Sequence, residues 1–436
     1  MKVKKFWVKG YRSLRDVTLE GLGDFNIFYG PNGSGKSNIL DALQTFFTLM
    51  PLAVDTAYGG VDERPSFRQA GSEAAAKWIG EDDFFAREDT QSIVMGAEIE
   101  GPDNFATFSR GNEPVERVQV EIHFWRRPGG FNLRFKHLFV NGQWVGLPFA
   151  DRNVRDLLRG IVPDAFAHLG VTRTLAVNAF GDASASGSRR GSTIPDGEVV
   201  RELFAAKNSS DLALRRRYHE LREFVADTLH RPEFDVFIGS NSGLELRERL
   251  PEPNPLGRDI RVDRAGHGVV QMYAIVASIL LARGRLVAIE EPEAHLHAPT
   301  LGRELRGILQ KMMEDGRVEQ FFIATHSNLF DLDLTGYWDV SLANGETVVQ
   351  RKPLDEVDRV HLYEPGPAKH QLQEMLRLFG DEVVFRTGDG QKLTATEMLA
   401  ALQNDEDVAK AFLESLHAAA MQVTGLRAKR AQGTPK

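Results

Sequence analysis

The chain has no cysteine in 436 residues. That removes disulfide scaffolds, zinc ribbons, iron–sulfur clusters and cysteine nucleophiles from consideration. It has no excess of positive charge either: 53 Lys and Arg against 61 Asp and Glu leave a formal net charge of −8. No global basic field is available to nucleic acid, so any contact with DNA has to be a local patch. Long hydrophobic runs are also missing. The longest apolar stretch, Val269 to Ala282, is broken by Gln271 and Ser278 and is too short to span a bilayer. The opening MKVKKFWVKGYRSL carries charge with no apolar run behind it, unlike a signal peptide or anchor. Between residues 45 and 265 no apolar heptad persists, which excludes long coiled-coil arms. What remains, 42% hydrophobic and 26% charged, is material for two or three domains, expected to be soluble and cytoplasmic with no membrane partner.

Periodicity divides the rest. Short strands are expected at Val3 to Val8 and Phe25 to Tyr29, followed by a helix from Lys36 to about Met50. Strand patterns recur at Ser92 to Glu100, Val118 to Trp125 and Phe131 to Val140, the last turning through Asn141-Gly142. Residues 152–169 read as helix and Val171 to Val177 as strand, while Gly181 to Gly197 is poor in apolar residues. Helices are expected at Glu198 to Ala206 and Leu212 to Leu229. From Gly266 the pattern becomes helix, strand Leu286 to Ile289, helix Leu301 to Met313, strand Gln320 to Ala324, an alternation that implies parallel strands. A hairpin through Asn344-Gly345 and a helical tail from about Lys369 complete the chain.

The most specific feature is Gly30-Pro31-Asn32-Gly33-Ser34-Gly35-Lys36-Ser37, a complete G-x-x-x-x-G-K-[ST] motif placed directly after a strand and opening a helix. Glycines let the backbone curl so that successive N–H groups point inward, and the helix N-terminus adds positive potential; together they bind phosphate. Lys36 is positioned for the β- and γ-phosphates and Ser37 for Mg²⁺, so ATP and Mg²⁺ are the expected cofactors. Gly30, Asn32, Gly33, Ser34, Gly35 and Asn38 complete the expected nucleotide contacts. In the second half, the apolar strand Leu286 to Ile289 ends in Glu290-Glu291-Pro292-Glu293, two carboxylates where open α/β sheets keep their ligands. Glu290 is assigned to Mg²⁺ and Glu291 to the attacking water.

Taken in order and spacing, GPNGSGKSNILDAL, AGHGVVQ, LVAIEEPEAHLHAP and IATHS resemble the ABC-type ATPase heads of the RecF, SMC and OLD (overcoming lysogenization defect) group. The resemblance is good over residues 1 to about 50 and 255 to 330 and holds only in outline between them. It implies an α/β P-loop ATPase head with a mixed sheet, an inserted antiparallel β segment and a helical insertion. The domains it implies are an N-terminal lobe over 1–150, a helical insertion over 151–255, a C-terminal lobe over 256–353 and a helical region over 354–436. It makes Gly266, His267 and Gly268 the signature segment that meets a nucleotide held by a second subunit, and His326 a switch histidine at the γ-phosphate. His295 and His297 fall in the dimer-contact segment. Gln91 is either a Q-loop glutamine near the metal or an exposed loop amide, and Arg12 either approaches the nucleotide or does not. Two departures stand out: the family often has Asp where this chain has Glu290, and the signature is far from LSGGQ.

Members of the OLD group often carry a TOPRIM nuclease after the switch histidine. Here Asp381 to Phe385 runs into Arg386-Thr387-Gly388-Asp389 with no glutamate at the catalytic place, and Asp405-Glu406-Asp407 has no strand before it. The expectation is therefore an ATPase that forms a homodimer or higher homo-oligomer through its heads and regulates a separate effector, a nuclease or toxin. A RecF-like DNA-repair ATPase and a low-turnover nucleotide-dependent scaffold are the alternatives. Arg126-Arg127, Arg189-Arg190 and Arg215 to Arg217 are the local basic clusters that DNA could use.

Overall fold

A computed structural model describes residues 1–58, 75, 78–85, 92–101, 105, 109–110, 113–127, 130–145, 156–162, 165–170, 199–229, 231–239, 243–249, 259–264, 267–282, 284–294, 299–327, 337–352, 376, 379–387, 392–403 and 412. The chain divides into two units, 1–362 and 363–436.

In the first unit, β1 (Lys2–Tyr11) and β2 (Leu14–Glu20) form a hairpin, and β3 (Phe25–Tyr29) leads through the phosphate loop into α1 (Lys36–Tyr58). Next come β4 (Ser92–Glu100), the short pair β5 (Ser109–Arg110) and β6 (Glu113–Pro114), then β7 (Arg117–Arg127), β8 (Gly130–Val140) and β9 (Gln143–Trp144). These build an antiparallel sheet in the order β2-β1-β4-β7-β8-β9. At its Asn141-Gly142 turn both residues have positive φ, 49° and 78°, as a tight two-residue hairpin loop requires.

The central sheet has the order β10-β14-β15-β3-β16-β17. It consists of β10 (Phe166–Leu169), β14 (Leu286–Glu290), β15 (Gln320–Thr325) and β16 (Tyr337–Ala343), all parallel to β3, and β17 (Glu346–Lys352), antiparallel at the edge. Burial follows strand parity. Phe28, Phe166, Leu286, Ala288, Phe322 and Ala324 join α1 and the antiparallel sheet in one core. Their neighbours Ile27, Tyr29, Val287, Ile289, Phe321 and Ile323 join the helices on the other face. Those helices are α2 (Val199–Lys207), α3 (Leu212–Leu229), α4 (His267–Leu281) and α5 (Pro299–Glu314). Cover on both faces is why β14 and β15 are buried at every position rather than alternating.

Three expectations are corrected. Residues 166–169, read as the end of a helix, are strand β10; four buried residues at the sheet's edge take the conformation that pairing with β14 supplies. The stretch 151–255 is not purely helical: besides β10 it holds the hairpin β11 (Phe234–Ile238) and β12 (Leu244–Glu248), which pairs with β13 (Ile260–Arg261). Helix α1 does not stop near Met50 but continues through Pro51, because Ala53 and Val54 extend its buried stripe into the same core. The expected strand Val171 to Val177 and the segment Gly181 to Gly197 lie outside the described residues.

A buried polar cluster ties α4 to the small sheet. Glu248, 2% exposed, accepts two hydrogen bonds of 2.8 Å from Arg231 and one of 2.8 Å from the Tyr273 hydroxyl. Burial beside this carboxylate raises the Tyr273 pKa well above its usual value.

The second unit is a fourth correction: the region 354–436, expected to be helical, holds the antiparallel pair β18 (Val383–Arg386) and β19 (Lys392–Thr394), each strand held by its partner, before α6 (Ala395–Gln403). Its small core comprises Leu376, Ala395, Met398, Ala401 and Phe412.

Candidate nucleotide site

The phosphate loop connects β3 to α1 and is packed so closely that its glycines have steric reasons. A Cβ on Gly30 would stand 2.0 Å from the Val340 carbonyl oxygen, and one on Gly35, which has φ +102°, 2.0 Å from Thr347 Oγ1. Thr347 buttresses the loop, donating to the Ser34 carbonyl at 3.1 Å and lying 2.6 Å from Ser13 Oγ. Asn38 donates to the same Ser13 hydroxyl at 2.7 Å. Lys36 is 6% exposed, and its Nζ donates to the Gly30 and Pro31 carbonyls at 2.7 and 2.9 Å. Burial lowers its pKa, and the charges of Glu291, Glu293 and Glu290 oppose that shift. Asn32 and Gly33 are exposed at the loop tip, and Ser34 is buried beneath it.

β14 lies one strand from β3, across β15, and delivers Glu290 to the loop: Ser37 Oγ donates to Glu290 Oε2 at 3.1 Å. A hydroxyl and a carboxylate converging beside a phosphate loop form the hard-oxygen donor set that Mg²⁺ takes, so these residues fit the ion.

Glu291 follows with φ +40°, the left-handed region that glycine favours. The conformation is held by its N–H, which donates to the Ala324 carbonyl at 2.7 Å. A non-glycine residue kept there stores strain of about 1–3 kcal/mol, and such strain concentrates at functional sites. His326 leaves β15 beside it, its Nδ1 3.9 Å from Glu291 Oε1 and 3.4 Å from Glu293 Oε1. Glu293 Oε1 also accepts from Thr325 Oγ1 at 2.5 Å and from the His326 N–H at 3.1 Å. Burial raises the Glu293 pKa above the carboxylate range.

The structure therefore brings Lys36, Ser37, Glu290, Glu291 and His326 together from three parallel strands. Gly268 lies in the first turn of α4, and His267 begins that helix. Gln91, Gly266, His295 and His297 lie outside the described residues, as do Arg189 and Arg190. Arg12, with φ 48°, pairs with Asp41 and with Asp83, the latter at 2.8 Å. Of the basic clusters, Arg126 lies over the Phe84 ring at 4.3 Å, and Arg215 and Arg216 are exposed on α3, where Arg216 pairs with Glu220.

Sequence reading missed four participants. His168 on β10 places Nε2 3.0 Å from Glu290 Oε1 and Nδ1 2.8 Å from Gln44 Oε1. Gln44 stands seven residues after Ser37 and Asp41 four after, a spacing that puts all three on one face of α1. Glu293, third in the acidic run, supports His326. The spacing on α1 was available as a signal; His168, inside a stretch read as helix, offered none.

The two halves of this arrangement match separate family models. Residues 1–92 match "AAA ATPase domain" and residues 195–333 match "AAA domain, putative AbiEii toxin, Type IV TA system". The phosphate-loop region is similar to the DNA replication and repair protein RecF of Acinetobacter baylyi, 46% identical over 48 residues, 11% of this chain and 13% of that protein. With RecF of Geotalea daltonii it shares 39% over 49 residues, 11% and 14% of the two chains. Two stretches of the chain, one at each side of the nucleotide site, are thus similar to AAA ATPase domains. The RecF matches span less than a fifth of the RecF relatives' own length. Among solved structures, the SMC head domain from Thermotoga maritima aligns with a TM-score of 0.43 at 17% identity, over 81% of this chain and all of that one. An Smc head bound to the C-winged helix domain of ScpA aligns at 0.47 and 16%, over 82% and 99%. No described helix is long and apolar enough to cross a membrane.

Proposed function

We propose that this chain binds and hydrolyses MgATP, dimerises on it, and thereby regulates a separate effector, a nuclease or toxin of an antiphage defence system. The observation that carries the catalytic part is the 3.1 Å contact between Ser37 and Glu290, which joins phosphate loop and acidic strand into one site. Lys36 neutralises the β- and γ-phosphates, while Ser37 and Glu290 hold Mg²⁺, which when bound withdraws charge from the transferring phosphoryl group. Glu291 takes the proton of the attacking water. His326 contacts the γ-phosphate, with Glu293 behind it.

These groups surround the phosphates from one side. The segment opening α4, with Gly268 in its first turn, presents helix N–H groups to the nucleotide of a second head. The effector part rests on the OLD-like motif order. The RecF similarity over the phosphate loop supports the second reading, a DNA-bound repair ATPase. Steady-state ATP turnover of the chain at increasing protein concentration, alone and with duplex DNA, tests both. Turnover that rises with concentration and ignores DNA supports the first reading, turnover that requires DNA supports the second, and no turnover in any condition contradicts both.

A further inference from the structure

We propose, on the basis of the MgATP site just described, that His168 is a positioning residue that fixes Glu290 and so lets the longer glutamate serve where the family often has aspartate. Strand parity puts it there. His168 is in register with Ala288, and Glu290 is two residues further along β14, so both side chains project from the sheet face that α1 covers. His168 is 7% exposed. Its Nε2 lies 3.0 Å from Glu290 Oε1, to which it donates in the tautomer that carries the proton there, while Glu290 Oε2, the other oxygen, takes the Ser37 hydroxyl.

A glutamate has one more rotatable bond than an aspartate and by itself holds its carboxylate less firmly. Here each oxygen is assigned a donor, one from β10 and one from α1. The ring is in turn met at its far edge, where the oxygen end of the Gln44 side-chain amide lies 2.8 Å from Nδ1. Gln44 is buried on α1, where Thr48 Oγ1 donates to its backbone carbonyl at 2.8 Å. A buried path therefore runs Gln44, His168, Glu290, Ser37, with the metal-facing oxygens at its open end. Asp41 belongs to this neighbourhood, its Oδ1 3.9 Å from Nδ1, but its carboxylate is paired with Arg12. Partners that orient ligating carboxylates typically change metal affinity by about 10- to 100-fold when removed.

The test uses the full chain and the Mg²⁺ concentration for half-maximal binding of a fluorescent ATP analogue. His168→Asn keeps an amide near Nδ1 to meet Gln44 but has nothing at Nε2. His168→Gln carries an N–H donor out to that position. The expected result is a requirement for about tenfold more Mg²⁺ in His168→Asn, near-parental behaviour in His168→Gln, and unchanged analogue binding in EDTA for both. Equal Mg²⁺ requirements in the two variants, whether parental or raised, would overturn the role. A parental chain that binds the analogue without any dependence on Mg²⁺ would instead remove the MgATP reading on which it rests.

Discussion

Ser37 and Glu290 are 253 positions apart in the chain, yet the hydroxyl of one donates to the carboxylate of the other at 3.1 Å. They meet because β14 and the phosphate-loop strand β3 lie in one parallel sheet with only β15 between them. Five outcomes are expected, four at this site and one at the buried Arg231–Glu248 cluster.

Lys36→Ala should abolish nucleotide binding measured by calorimetry. The ammonium is the one cationic side chain within the loop itself, and it already sits on the loop's own carbonyls. Unchanged ATP affinity would remove the phosphate role.

Glu291→Gln should keep ATP bound and lose turnover by about 10²- to 10⁴-fold, because an amide cannot accept the proton. Glu291→Gly should be equally inactive yet more stable by about 1 kcal/mol, since glycine adopts φ +40° without the cost a side chain meets there. A calorimetric melt of Glu291→Gly below the parental one would show that the backbone strain is not real.

Glu293→Gln should alter how stability depends on pH. The folded-state pKa of Glu293 is raised by burial, so the folded chain holds this proton more tightly than the unfolded chain. Its contribution is therefore present below the ordinary carboxylate range and is lost as pH rises through the raised folded value. Melting followed from acid to neutral pH should show the parental chain losing ground to Glu293→Gln as pH rises. A constant difference between the two would contradict the raised pKa.

Arg231→Ala should destabilise the chain by about 2 kcal/mol, because Glu248 stays buried and, among the described residues, keeps Tyr273 as its side-chain partner. The figure lies below the roughly 3–5 kcal/mol seen for deeply buried pairs, since Arg231 is itself a third exposed. Denaturant unfolding checks it; a change within about 0.5 kcal/mol, the range of ordinary surface substitutions, would assign the cluster no structural weight.

How much of this was legible depended on whether a feature is local. The phosphate loop, the acidic strand end and the Asn-Gly hairpins are set by neighbours in sequence, and their positions followed from the pattern. β10 was not legible, because Phe166 to Leu169 becomes strand only by pairing with residues 286–289, some 120 positions later. With β10 misread, His168 had no reason to stand beside Glu290. The hairpin β11–β12 escaped for a related cause, since each strand is five residues long and is stabilised by its partner and by α4. Glu293 was visible in the acidic run, but its burial behind His326 depends on the turn that Glu291 makes at positive φ.

The central claim is that turnover needs two heads, each completing the other's site, and a mixing experiment tests it most directly. Lys36→Ala chains lack the phosphate-loop lysine and Gly268→Asp chains place a negative charge at the segment proposed to meet the partner's nucleotide, so each alone should be inactive. On mixing in equal amounts with proven subunit exchange, half the dimers carry one doubly defective and one intact site, and ATP turnover should recover to about a quarter of the parental value. No recovery despite exchange, or full activity in a chain shown to be monomeric, would contradict the account.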